Sequence, residues 1–346
     1  MALNNKRISP SVKIFLGLLS YLFLAAVIAT VMYSLQVHSS AWTSLDADRF
    51  HQMAKMIIDG SEPYVSYIDP KPPLLFFTIA LMDLISPAGS IDILIMTVLN
   101  IICALLIWKI GWEDYGCFAG YTAGLLFLVA SVFTEGYFLF SEQFTVLFLL
   151  IALIFARKGQ YAFSGVFLGL ACGFKQYAML AVIPLLYLMW ANNDRRYYRF
   201  LLPVIIIVAG MFAALYLVYG SAAGDSAVYY TFLIAPTYNT GNVTTFSTYV
   251  PETPIAYVAN IIFSVAIVLP TLLFAAASAV NKGFRSENEK ALGIMILVLL
   301  STLLIRQYLH YWILLMPFLA LFACREFADL RRQANRPSHD LFEKQA

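Results

Sequence analysis

Residues 72–87, PPLLFFTIALMDLISP, decide how this chain is arranged, because their crossing or not crossing a membrane sets the side on which everything downstream lies. Between the flanking prolines only Leu74–Ser86 is free to form a helix, and Asp83 lies inside it. A membrane-spanning helix needs ~20 apolar residues, so this segment is short and carries a charge. If it crossed, Arg157-Lys158, the stretch holding Arg195, Arg196 and Arg199, and the Lys282–Lys290 loop would all face outward. Short cytoplasmic loops hold the Lys and Arg excess, which argues against that arrangement. If the segment instead lies in the interface or re-enters, all of the 22 Lys and Arg except Arg49, Lys55, Lys71, Lys175 and Arg306 face the cytoplasm. The non-crossing reading is therefore adopted.

The rest of the chain supports a membrane setting. Hydrophobic residues make up 61%, charged residues 12%, and the mean hydropathy is +0.77. A soluble domain is about a quarter charged, so this composition excludes a water-soluble globular fold. With Leu74–Ser86 held on one side, the expected architecture is an all-α integral membrane protein with about ten transmembrane helices. They run over 14–35, 91–110, 116–134, 143–157, 161–174, 176–191, 200–219, 255–279, 291–305 and 308–324. Residues 1–346 form one transmembrane module with both termini cytoplasmic, a first extracytoplasmic loop at 36–90 and a second at 220–254. The run after Lys6, Arg7 and Lys13 is too long for a signal-peptide core and reads as the first span. Net charge is +2, so nothing suggests a nucleic-acid partner. Cys103, Cys117, Cys172 and Cys324 lie in apolar segments without CxxC spacing, where cysteine behaves as a small hydrophobe.

The first outer loop opens with Ser44-Leu45-Asp46-Ala47-Asp48-Arg49-Phe50. Phe50, Met53, Ala54, Ile57 and Ile58 recur at the spacing of one helix face, with Asp48, Gln52, Lys55 and Asp59 opposite. The expectation is an amphipathic helix lying flat on the membrane, apolar side down, and ending at Gly60. Asp48 falls on its wetted face. Asp46, before the first turn, serves either as an N-cap, a role open to Ser44 as well, or as a base aimed into the helical bundle. Lys71 precedes a rigid proline pair at the membrane boundary, a position suited to meeting a lipid phosphate.

Several motifs in order carry a resemblance. They are Asp46-x3-Phe50, Gly60-x2-Pro63-Tyr64 and Asp69-Pro70-Lys71-Pro72-Pro73-Leu74, then Ser141-Glu142-Gln143-Phe144, Gly165-x3-Gly169-x5-Lys175-Gln176, and His310-Tyr311 with Pro317. Together these resemble the GT-C fold glycosyltransferases, nearest the group of protein O-mannosyltransferases and lipid A aminoarabinose transferases. The resemblance departs from the family in two places. Asp46-Ala47-Asp48 stands where many relatives have an Asp-Glu pair, and the chain ends near the tenth helix without the extra helices or soluble domain many relatives carry.

The resemblance implies a GT-C-like fold and transfer of a sugar, with inversion, from a polyprenyl-phosphate carrier to a lipid, glycan or protein acceptor on the extracytoplasmic face. Such a reaction needs a positioned carboxylate to take the acceptor proton and preorganised cations to meet the departing phosphate. Asp46 is the expected base and Glu142 its acidic companion; Lys71 and Lys175 are the expected cations, with Arg306 third. Asp48, Tyr64, Asp69 and His310 complete the candidate binding residues. No cofactor is required, although Asp46 and Asp48 have the spacing of a metal-binding DxD and a divalent cation is compatible with it. The competing functions are a multi-pass transporter or flippase for a lipid or small solute, and a non-catalytic subunit keeping the fold. Transporters favour midplane charges and internal repeats, whereas these charges sit at helix ends and no repeat is evident.

Overall fold

A computed structural model describes residues 10–38, 45–87, 89–234, 254–305 and 308–334. Among the described residues the chain is helical and has no strand. The helices are α1 (Pro10–His38), α2 (Leu45–Ile58), α3 (Pro73–Ile85), α4 (Asp92–Tyr115), α5 (Cys117–Phe133), α6 (Ser141–Arg157), α7 (Tyr161–Phe174), α8 (Val182–Ala191), α9 (Tyr198–Val228), α10 (Pro254–Lys282), α11 (Glu287–Ile305) and α12 (Met316–Ala334). Tighter 3-10 turns at Gln176–Ala181 and Leu309–Leu314 lead into α8 and α12, where a single longer helix is expected from sequence. Four of these elements are long and apolar enough to cross a membrane: α1, α4, α10 and the stretch Tyr198–Ile234. That last stretch breaks at Gly220 (φ 85°), where the expected span of 200–219 stops. Shorter apolar helices at Cys117–Phe133 and Tyr161–Phe174 fill the space between the long ones. Burial is concentrated where α4, α6, α7 and α12 meet, in a cluster that includes Ile107, Leu149, Leu168 and Leu319.

Polar groups gather at two opposite ends of this apolar bundle. At one end the C-terminus of α4 meets that of α6 through an Asp114–Arg157 ion pair. There also Arg325 of α12 lies 3.5 Å from Glu289 of α11 and donates to the Gly283 carbonyl at 2.7 Å. At the other end lie the N-termini of α4 and α6, the C-terminus of α7, and α2. Both ends of α3 meet that second cluster: Lys71, just before α3, pairs with Asp46, and Asp83, in its last turn, pairs with His51. Helix α3 therefore starts and finishes on the side of the bundle that carries α2. Leu81, Leu84 and Ile85 stay exposed on it, an apolar flank that none of the described residues covers.

The amphipathic helix forms as its spacing predicts, ending before Gly60 in a left-handed turn (φ 78°). Its apolar face has a different neighbour from the one expected. Phe50, Met53 and Ala54 are fully buried, packed in a cluster with Phe76 and Ile79 of α3 and Met96 of α4. Protein rather than bilayer covers this face, because α3 turns back beneath it and offers apolar surface at packing density.

Glycines on α7 explain how the polar end is assembled. A Cβ at Gly165 would sit 2.2 Å from the Phe200 carbonyl oxygen, and one at Gly169 would sit 2.7 Å from Ile207. Only glycine at these positions lets α7 lie directly on α9. Gly173 continues the stripe against Met211 and Leu74, so the end of α7, and Lys175 beyond it, is delivered next to the start of α3.

Candidate active site

Two ion-pair groups face each other at the α2 end. The first belongs to the loop before α3. Asp69 accepts the Lys71 backbone N–H at 2.9 Å, an Asx turn. Tyr64 is buried with φ 65° and donates from its hydroxyl to the Lys71 carbonyl at 2.6 Å. Gln176 donates to the Pro70 carbonyl at 3.1 Å and to the Thr231 carbonyl at 3.3 Å, tying the loop to the segment after α7. Held this way, the Lys71 ammonium lies 3.5 Å from Asp46, 3.8 Å from Asp69 and 4.5 Å above the Phe50 ring.

The second group joins α6, α7 and the start of the last helix. Glu142, fully buried in the first turn of α6, accepts from the Ser141 hydroxyl at 3.0 Å and is ion-paired to Lys175. The Lys175 ammonium also sits 3.7 Å over the Tyr311 ring. His310 turns Nε2 toward Glu142 at 3.9 Å and Nδ1 toward Glu135 at 3.1 Å. Phe140 stacks on its ring, with centroids 4.2 Å apart.

The groups are close enough to act on one another. Burial favours the neutral form of Asp46, but the charges of Lys71, His310, Lys175 and Arg49 outweigh it and hold its pKa below the ordinary carboxylate value. Burial likewise opposes the charge on Lys71, yet Asp46, Asp69, Tyr311 and Glu142 raise its pKa above the lysine range. Asp69 is shifted up, because its burial exceeds the opposing pull of Lys71. The partner lysine thus lowers the basicity of Asp46 in this arrangement.

Asp46, Lys71, Tyr64, Asp69, Glu142, Lys175 and His310 thus converge. Asp48 does not join them: two residues along a helix is ~200° around it, and its side chain is exposed. Asp46 and Asp48 accordingly do not form a two-carboxylate clamp, and among the described residues no three His, Cys, Asp or Glu side chains group to hold a metal. Arg306, Ser44 and residues 235–253 of the second long loop lie outside the described residues.

Sequence reasoning missed Glu135, Phe140 and His51. Glu135 adopts a left-handed backbone (φ 62°) that glycine would take more easily, although Gly136 follows it. Strain of this kind at a polar turn is a recurrent feature of functional sites. Nothing in the residue pattern alone distinguishes it from a loop glutamate.

An apolar groove of about 1030 Å³ opens beside this end, between the segment after Lys175 and α9. Gln176 and Tyr177 stand at its polar edge, with Ile183, Val204, Phe212 and Phe232 among its walls.

Comparison with curated proteins and with solved structures finds no match. A family model matches residues 70–222, which takes in Lys71, Glu135, Glu142 and Lys175 but leaves Asp46 and His310 outside. Over that stretch, less than half of the chain, it is similar to the dolichyl-phosphate-mannose-protein mannosyltransferase family, a GT-C fold glycosyltransferase family.

Proposed function

We propose that this protein transfers a sugar from a polyprenyl-phosphate donor to a hydroxyl-bearing lipid, glycan or protein acceptor, with inversion, on the extracytoplasmic face. The observation that carries the reading is the pairing of buried Lys175 and half-buried Lys71 with two carboxylates beside a long apolar groove. The groove suits an isoprenoid tail; Gln176 at its edge follows Lys175 in the chain and bonds the Pro70 carbonyl beside Lys71, so both lysines suit a phosphate at that end. The orientation follows from charge. Arg157, Lys282, Lys290 and Arg325 gather at the opposite end of the bundle, which positive-inside bias assigns to the cytoplasm.

The reaction is a single displacement. The acceptor oxygen forms a bond to the sugar's anomeric carbon, the bond from that carbon to the phosphate oxygen breaks, and the acceptor proton passes to Asp46. Polyprenyl phosphate leaves with the electron pair, stabilised by Lys71 and Lys175. An ammonium has three N–H donors, so each lysine retains donors for a phosphate oxygen beyond its carboxylate partner. The phosphate also competes with Asp46 for Lys71. Binding of donor weakens the 3.5 Å pair that holds Asp46 below its ordinary pKa and makes the carboxylate a stronger base when the acceptor arrives. Glu142 holds Lys175, and His310 between Glu135 and Glu142 closes the acidic side of the cavity.

Purified protein in lipid nanodiscs, offered a panel of polyprenyl-phosphate sugars with candidate acceptors, should release free polyprenyl phosphate from at least one donor. Transport of an intact lipid across vesicles with no donor ever consumed would refute the transferase in favour of a flippase.

A further inference from the structure

Three ionisable side chains at the site-bearing end take no part in the chemistry above. His51 of α2 uses both ring nitrogens. Its Nδ1 lies 2.9 Å from each carboxylate oxygen of Asp83 on α3, and its Nε2 lies 2.9 Å from Oδ2 of Asp92 in the first turn of α4. All three side chains are close to buried, at 9–11% exposed. A neutral imidazole has one N–H and one lone pair, so it could donate to one of these carboxylates and would turn its lone pair on the other. Only the imidazolium satisfies both. The three residues come from three helices, and the helix that carries His51 also carries Asp46 one and a half turns earlier and Phe50 beneath the Lys71 ammonium.

We propose that His51 is a positioning residue: clasped as a cation between Asp83 and Asp92, it seats α2 on α3 and α4 and so holds Asp46 and Phe50 against Lys71. The proposal rests on the assignment of Asp46 and Lys71 to the transfer site. The groups facing the ring are Asp83 from α3 and Asp92 from α4. On α2 itself Lys55 is exposed and engaged with Asp59 at 2.7 Å. The second oxygen of Asp92 is buried without a hydrogen-bond partner, so the histidine is the principal compensation for that carboxylate. Burial lowers the basicity of His51, but its hydrogen bonds to and the charges of Asp92 and Asp83 prevail and hold the pKa at about 9. A folded pKa above the ordinary value of ~6.5 means the clasp contributes fully below that pH. Its contribution fades as pH rises through about 9.

The test is hydrogen exchange of residues 45–58 in nanodiscs from pH 7 to 10, corrected for intrinsic base catalysis, with kcat and KM for the donor measured in parallel. Wild-type α2 should be protected at pH 7 and lose protection with a midpoint near 9. His51→Gln should show at pH 7 the exchange that wild type shows above its midpoint, with kcat reduced about 10- to 100-fold. Asp92→Asn removes one charge and should move the midpoint down. His51→Arg, a donor on both sides at every pH, should restore protection and abolish the pH step. A flat wild-type profile, or an unmoved midpoint in Asp92→Asn, overturns the proposal even if His51→Gln fails to fold. The two readings fail separately. A pH-dependent seat with no donor consumed by wild type sinks the transferase and keeps the clasp; normal turnover and protection in His51→Gln sinks the clasp alone.

Discussion

Replacing Lys175 by methionine should destabilise the fold far more than loss of a surface lysine. The Lys175 side chain is 3% exposed and that of its partner Glu142 is 0%. Methionine fills the volume of the lysine stem, so little packing is lost and the effect isolates the charge. Glu142 would keep the Ser141 hydroxyl at 3.0 Å, while the His310 ring stands off at 3.9 Å. Leaving one member of a buried ion pair without its partner costs about 3–5 kcal/mol, a large share of the ~5–15 kcal/mol that holds a typical protein folded. At roughly 2 °C per kcal/mol for a chain this long, Tm should fall by about 6–10 °C. The diagnostic variant is Lys175→Met with Glu142→Gln, which removes both charges at once. Exchange of a buried pair for neutral groups of similar volume is often near neutral, so the double variant should recover to within about 1 kcal/mol of wild type while remaining inactive. Thermal melts in nanodiscs, followed by intrinsic fluorescence, measure all four corners of the cycle. A double variant no more stable than Lys175→Met would show that the loss came from packing and that the electrostatic reasoning is wrong.

Other outcomes follow from particular contacts. Gly165→Ala places a methyl 2.2 Å from the Phe200 carbonyl oxygen; it should part α7 from α9 and cost about 1–3 kcal/mol, read as a lower Tm. Glu135→Gly relieves a left-handed glutamate (φ 62°) and should raise stability by about 1 kcal/mol while lowering turnover, because His310 loses its Nδ1 partner. Equal activity with wild type would remove Glu135 from the site. Tyr64→Phe leaves the Lys71 carbonyl without its donor and should cost about 1–3 kcal/mol. A cysteine at position 158, in an otherwise cysteine-free background, should react with a membrane-impermeant maleimide only from the cytoplasmic side. Labelling from outside would reverse the orientation and the meaning of both polar ends.

What could be read before the structure, and what could not, divides along physical lines. Helix α7 is legible at its residues, Tyr161–Phe174, because apolar composition ends at Gln160 and Lys175. The pairing of both ends of α3 with α2 agrees with the expectation, from its length, its bounding prolines and Asp83, that it lies in the interface or re-enters. The identity of Asp83's partner was not legible. Asp83 and Asp92 lie 32 and 41 residues from His51 in the chain, and periodicity carries no information at that range. The same limit misassigned the apolar face of α2: a hydrophobic stripe states that something apolar covers it, and bilayer and α3 satisfy that pattern equally. Convergence of Asp46, Lys71, Glu142 and Lys175 was expected from motif order. The damping of Asp46 by Lys71 was not, because the sign of a pKa shift depends on distances between side chains from different helices.

The most direct test compares donor binding and polyprenyl phosphate release in wild type and Asp46→Asn under identical conditions. Removing the carboxylate that competes for Lys71 should leave donor affinity unchanged or tighter, while release falls by about 10²- to 10⁴-fold, as loss of a general base does. Full turnover by Asp46→Asn would contradict the assignment of the base and, with it, the proposed way this site transfers a sugar.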